Sequence, residues 1–348
     1  MESRDKDTHP PLFLEFMPVS FFGAVMGLTA LCFTWRLADQ TWHVGSLIGE
    51  FIGCMAMLAF VLLTIAYATK WVRYPALVEK EFKNSVSIGF FATVSISVML
   101  IPGILLPYAP VLADVIWLVG VGITFIFAWF VLRKWMDELQ PWESAVPAWV
   151  LPVTGTLNVP IVGNSLRFPG AHEICLMFFG IGIIFIIIMM TIIFSRLFFA
   201  APLAGPLQPS LFILVAPLAL AFNGYEGLIG GQDLTASAFF YFTLFLLLLF
   251  GSKLWLLPKS CPFQVSWWSV SFPLGSVSIA SVRYFQKQPD WGHQILAAFL
   301  ILVTTLVILY LLVQTIYQIW TRRFGQSLVP SAPPPPPAAT TPPPAAQP

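Results

Sequence analysis

Glu50 is the interior carboxylate with the strongest claim to chemistry in this chain. It sits inside an apolar run, within the spacing Gly45-x-x-x-Gly49-x-x-x-Gly53. An acid kept in such surroundings serves as a proton relay, couples an ion, or meets a partner. Glycines four apart let another helix come close, within the chain or between copies. Glu50 lies about 9 Å from the end of its run at the helical rise, so it could equally reach the interface or pair with a neighbour's polar group. The other interior polar groups are small and neutral: Ser20, Thr29, Ser95, Ser97, Thr154, Thr156, Asn223, Ser271, Ser276 and Ser278. Hydroxyls and helix-dipole ends hold an anion weakly without a fixed charge. Weak binding suits a pore, because the ion must leave as easily as it enters. Taken singly, each hydroxyl is expected to satisfy a carbonyl of its own helix. Taken together, they mark a lining.

A second feature is the run Trp267-Trp268-Ser269-Val270-Ser271-Phe272-Pro273-Leu274. Phe272 precedes a proline, which disfavours ordinary helical geometry there. A ring at such a bend could plug a narrow pore and open it by one rotamer change. The chain has 32 phenylalanines, and by local sequence alone Phe272 also reads as a packing residue. Other chemistry lacks support. His9, His43, His172 and His293 fall near run ends or in tails, and Cys32, Cys54, Cys175 and Cys261 form no C-x-x-C or Cys/His cluster. No metal, cofactor or disulfide framework is expected. Gly120-Val121-Gly122 lies inside an apolar run, and no G-x-S-x-G occurs, so neither a nucleotide loop nor a hydrolase is indicated. The chain reads as a non-enzyme.

The elements that carry these residues follow from composition. Hydrophobic residues make up 58% and charged residues 9%, with mean hydropathy +0.83. A soluble domain carries roughly 25% charge, so this surface must meet a lipid bilayer. The net charge of +1 gives no reason to expect nucleic acid. Ten stretches approach the length of a spanning helix: 18–37, 44–69, 86–107, 111–134, 146–164, 172–196, 209–228, 236–257, 266–285 and 293–319. The fifth is the weakest, diluted by Pro152, Thr154, Thr156 and Asn158. Residues 1–13 form a hydrophilic segment without a signal-peptide pattern, 14–323 the ten-helix domain, and 324–348 a Pro/Ala-rich tail expected to be disordered. Pro333–Pro337 in that tail reads as solvated chain before it reads as a docking motif.

Proline sorts the helices by parity. Pro18, Pro102, Pro152, Pro160, Pro217 and Pro273 fall in odd-numbered stretches, and none lies inside an even one. Proline frees a carbonyl, which must face protein or a wet cavity rather than lipid. The expected fold is all-α: five helical hairpins, with bent odd helices inside around a central pore and straight even helices outside. Basic residues set the orientation. Thirteen Lys and Arg lie on the side of the termini and four on the other, which puts both termini in the cytoplasm.

Three stretches carry a family resemblance over roughly residues 14–320. They are Pro18-Val19-Ser20-Phe21-Phe22-Gly23-Ala24-Val25-Met26-Gly27, Pro209-Ser210-Leu211-Phe212-Ile213-Leu214-Val215-Ala216-Pro217, and Trp267-Trp268 to Phe272-Pro273. The sequence resembles the tellurite-resistance/dicarboxylate transporter family, which includes bacterial TehA, plant guard-cell slow anion channels, and fungal malate and sulfite exporters. The resemblance implies ten helices in five hairpins and a homotrimer with one pore per subunit. It implies that Phe272 occludes the pore, with Gly23 and Gly27 matching small residues that make room beside the ring. The long soluble termini of the plant members are not seen here, which suggests a prokaryotic-type member in the bacterial inner membrane. The expected function is a passive channel for small inorganic or organic anions, gated at Phe272. Ser20, Gly23, Gly27, Pro102, Thr154, Pro217, Ser271, Pro273 and Ser276 would line or bend its pore. The alternative is a proton-coupled exporter of sulfite or C4-dicarboxylates, with Glu50 as the titrating group.

Overall fold

A computed structural model describes residues 13–166, 168–254 and 261–321. All regular structure among the described residues is helical. In chain order the long elements are α1 (Val19–Trp42), α2 (Leu47–Arg73), α3 (Ile88–Leu105) and α4 (Pro110–Asp137). Then α5 is a chain of short segments, Pro147–Val150, Leu151–Thr154, Gly155–Asn158 and Val159–Gly163. It is followed by α6 (Ala171–Phe199), α7 (Gly205–Ile229) and α8 (Leu234–Lys253). A 3-10 segment Val265–Val270 running into Ser271–Lys287 makes α9, and α10 is Trp291–Trp320. Eight of these are long and apolar enough to cross a membrane; α5 and α9 are not among them. The protein is an integral membrane protein.

Burial divides the helices. In the most apolar part of α1, α3 and α7, 78, 67 and 72% of the residues are buried, against 28% in α2, α4, α6 and α8 and 33% in α10. Almost all of α5 is buried, and so is α9 from Ser271 to Tyr284 except Arg283. The buried helices pack in a closed circuit, α1 on α3, α3 on α5, α5 on α7, α7 on α9 and α9 on α1. Each even helix packs against the odd helix before it. Its outer face shows Ile65, Ile126, Ile187, Leu248 or Leu306, all exposed. Only hydrocarbon makes that a low-energy surface.

The prolines do something other than bend helix interiors. Pro152, Pro160, Pro217 and Pro273 all stand in the first turn of an α segment, and Pro18 caps a 3-10 turn. A first-turn residue has no intrahelical acceptor for its N–H, so proline costs nothing there. Proline thus marks where a 3-10 start becomes an α-helix. Pro102 alone, among these, is interior to its helix.

Two glycines show how closely the inner helices approach. A Cβ on Gly27 of α1 would overlap the Ser271 side chain of α9, and one on Gly275 of α9 would overlap Ala30 of α1. The helix 2 glycines also serve the chain itself. Gly49 lies against Arg36 and the Cys32 carbonyl, and Gly53 against Cys32 and Ile104, while Gly45 precedes the helix at φ +98°. The option of these glycines as a contact between copies is therefore corrected: both interior ones are filled by α1 and α3.

The stretch between α2 and α3 was expected to be a loop. It holds a nine-residue helix, Pro75–Lys83, with Val78 buried. Its Glu81 accepts hydrogen bonds from the Val19 N–H at 2.7 Å, Lys70 Nζ at 3.0 Å and Tyr67 Oη at 3.2 Å. The carboxylate therefore sits at the positive start of α1. The hydrophilic residues 1–12 and the tail from 322 lie outside the described residues, as do His9 and Pro333–Pro337.

Candidate functional site

The interior of the helix circuit holds a row of small cavities. The first, about 30 Å³, is lined by Ser20, Gly23, Thr93, Leu151, Ala216 and Trp268, among others. These all come from the N-terminal parts of α1, α3, α5, α7 and α9. The second, about 10 Å³, is lined by later residues of the same helices, including Phe33, Leu100, Asn158, Asn223 and Ser276. A third, also about 10 Å³, lies among Ile96, Thr154, Asn158, Pro217 and Leu220. The five inner helices therefore run parallel. Each of the small cavities has room for about one water. Phe272 lines all three. Its side chain is 6% exposed.

The local sequence explains the ring's placement. Val265–Val270 is a 3-10 turn, and the α-helix begins only at Ser271, with Pro273 in its first turn. Trp268 anchors the 3-10 turn by donating from Nε1 to Thr315 Oγ1 of α10 at 3.0 Å. Ser271 Oγ donates back to the Trp268 carbonyl at 2.7 Å. The Phe272 carbonyl accepts from Ser276 Oγ at 2.9 Å. The ring thus projects from a stretch held on both sides.

The expected site residues fall into three groups. Ser20, Gly23 and Pro273 line the first cavity, Ser276 the second, and Thr154 and Pro217 the third. Ser271 and Pro102 are not among the lining residues of these cavities. Gly27 has Ser271 as its nearest neighbour, so it makes room for that side chain. The hydroxyls hold another lesson. Thr154 donates to the Val150 carbonyl, Thr156 to Val153, Ser95 to Ala92, Ser97 to Thr93 and Ser278 to Leu274. Their protons are committed to their own helices, so what they can turn toward a cavity is lone pairs. Asn158 and Asn223 likewise give Nδ2 to the carbonyls of Gly155 and Ser276, leaving each Oδ1 buried without a partner. Reversing either amide would set two oxygens together, so these orientations are physically determined. The walls of the second and third cavities carry no charged side chain and few free donors, so they hold a bare anion only weakly.

Glu50 lies elsewhere. Arg36 grips it with two charge-assisted bonds, Nε to Oε1 and Nη2 to Oε2, both 2.8 Å. Tyr108 Oη adds a third at 2.5 Å. The guanidinium is completed by the carbonyls of Gly103 and Ile104 at 2.9 and 3.2 Å. The cluster ties α1, α2 and α3 together, and Glu50 lines none of the three cavities. Sequence reading counted Arg36 only for orientation. A residue in the second stretch has no visible link to one in the first until the hairpin closes.

Residues 17–316 match the family model described as SLAC1, voltage-dependent anion channel. The chain belongs to this family. SLAC1-family members are anion channels and transporters rather than enzymes. The chain is 25% identical over 311 residues to the tellurite resistance protein TehA homolog of Haemophilus influenzae, covering 88% of this chain and 92% of that one. It is 23% identical over 336 residues to the guard cell S-type anion channel SLAC1 of Arabidopsis thaliana, covering 93% of this chain and 60% of that one. The S-type anion channel SLAH2 of the same plant is 22% identical over 324 residues, with 90% and 61% covered. The chain therefore spans about three-fifths of the length of these plant relatives.

Proposed function

We propose that this protein is a passive channel for small inorganic or organic anions, occluded by Phe272. Ten transmembrane helices form five hairpins, and the odd helices ring the pore. The observation that carries this reading is that one ring, Phe272, bounds all three cavities along the axis of the helix circuit. Two further features favour anions. Five parallel helices bring their N-terminal ends to the first cavity, and each end carries partial positive charge. Among the described residues no charged side chain lines these three cavities, so an anion that enters is not trapped. The N-terminal mouth faces the cytoplasm, as do both termini, because Lys70, Arg73, Lys80, Lys83, Arg133, Lys134, Arg196 and Lys253 lie toward that end. The setting is the bacterial inner membrane, and the assembly is a homotrimer with one pore per chain, as the family resemblance implies. A coupled exporter would need a titrating group on the path, and Glu50 is already engaged by Arg36 and Tyr108.

The test is anion current through the purified full chain in a planar bilayer, comparing wild type with Phe272→Ala. Small wild-type current with large, ohmic, anion-selective current in the variant is the expected result. Absence of current in both, with anion flux persisting in liposomes, would replace the channel by an electroneutral carrier.

A further inference from the structure

Past Phe272, the lumen face of α9 changes character. Phe272, Ser276 and Ile279 all line the second cavity. Arg283 and Lys287 continue that spacing, and at 100° per residue the five positions fall on one stripe of the helix. Arg283 stands about 16 Å beyond the ring along the axis. Its Nη1 donates to the Asn223 carbonyl at 3.0 Å and to Glu226 at 3.1 Å. Lys287 Nζ lies 3.6 Å from the other oxygen of Glu226 and donates to the Gly230 carbonyl at 3.4 Å. All of these partners are on α7 or its C-cap Gly230, and Asn223 of α7 also lines the second cavity. At the C-terminal end of the helix circuit this cluster thus sets two cations against one carboxylate. Among the described residues, Nε and Nη2 of Arg283 make no hydrogen bond, and the side chain is 25% exposed. Those two N–H groups are the edge of the guanidinium that takes both oxygens of a carboxylate or similar oxyanion side by side.

We infer that Arg283, supported by Lys287 and restrained by Glu226, is an anion-selecting group at the C-terminal mouth, with a free fork for oxyanions. This rests on the reading of the helix circuit as a pore. The unequal charge of this cluster concentrates anions beside the lumen stripe of α9 and repels cations there. Glu226 holds the arginine in place by one amino group while leaving its other edge open. It also subtracts one charge, so that a departing anion is not held.

The experiment uses bilayer recordings of the full chain with the plug removed by Phe272→Ala. Adding Arg283→Gln should lower conductance about threefold at low salt and less at high salt, because screening weakens a surface charge. The anion-to-cation permeability ratio should fall with it. Lys287→Gln, at a half-exposed position, should do the same more weakly. Glu226→Gln should act in the opposite direction, raising low-salt conductance. The free fork should make the Phe272→Ala channel prefer formate over chloride, and Arg283→Lys should keep chloride current and lose that preference, since an ammonium lacks the fork. A pair that merely braces α7 against α9 would make the Arg283 and Glu226 variants fail alike. Changes of the same sign, or an unaltered permeability ratio, overturn the inference while leaving the channel intact. An unchanged formate preference in Arg283→Lys overturns the fork. Absence of current in Phe272→Ala itself overturns the pore reading, and the inference with it.

Discussion

Helices α9 and α10 are neighbours of opposite construction. Helix α9 starts with a 3-10 turn, and its 17-residue α part carries Ser271, Ser276, Ser278 and Ser281. It is nonetheless buried along nearly all its length. Next to it, α10 is a 30-residue rod, and only 33% of its most apolar part is buried. The two are joined by Trp268 to Thr315 and by Ser278 to Thr304 at 2.8 Å. The contrast repeats around the circuit. The most apolar helices are on the outside, where each side chain must suit lipid. The inner helices all begin in or contain 3-10 turns, and α1 and α7 are less apolar than any outer helix, because their neighbours and cavities can satisfy polar groups. In a membrane protein of this kind, hydropathy reports which helices meet lipid and not which make the core.

The comparison can be broken at several points. The largest effect is expected at Phe272: its truncation to alanine should raise anion conductance on the order of tenfold or more if the inner circuit is the pathway. An equal rise on truncating Phe125 of the outer face of α4, which is 47% exposed, would remove the distinction between inner and outer rings.

Glycines sharpen the contrast next. Gly27→Leu forces a side chain into Ser271 and should cost about 2–3 kcal/mol or prevent assembly of α1 on α9. Gly180→Leu on α6 has nothing within 4 Å of its Cβ and should be silent. Thermal unfolding in detergent compares the two. Matching melting temperatures would show that the inner circuit is not packed as described.

Glu50 tests the outer attachment. Glu50→Gln removes the charge from the Arg36 cluster but keeps acceptor and volume, so it should cost about 1–2 kcal/mol. Anion flux should be unaffected, with or without a pH gradient. A flux that becomes insensitive to a pH gradient only in the variant would put Glu50 on the transport path.

The smallest effect is a pH dependence at the start of α10. Asp290 caps this helix, accepting from the N–H groups of Gly292 and His293, and its carboxylate also bonds the His293 ring. The His293 side chain, then these backbone groups, hold the Asp290 carboxyl below the usual carboxylate range. A lowered folded-state value means that the stabilisation is complete above the unfolded value of about 4 and is lost as the pH falls through the lowered one. Asp290→Asn should erase that acid-side loss. Amide exchange of the first turn of α10 measures it; identical pH profiles for the two proteins would count against the cap.

Much of this was readable from residue types. Long apolar runs predicted membrane helices because about 20 such residues fit a bilayer core. Proline parity separated inner from outer helices, although its mechanism was misread. Apart from Pro102, these prolines stand at or before first turns, where a missing N–H is harmless, and not at bends in mid-helix. The Phe272-Pro273 pair stood out for the same reason. Other features were hidden. The Pro75–Lys83 helix carries too many charges to register as apolar. Arg36 and Glu50 gave no sign of being partners, and Arg283 looked like one more basic residue near a helix end.

Sequence alone determined that the chain lives in a membrane and that its helices are of two kinds, because transfer to hydrocarbon depends on side-chain chemistry summed over one helix. Which hydroxyl protons were left for an ion, which carboxylate met which cation, and which phenylalanine of 32 bounded the three cavities of the helix circuit were decided only by tertiary structure. Those outcomes depend on directions and distances between helices far apart in the chain, and a hydrogen bond or a closed gap exists only when both partners are in place.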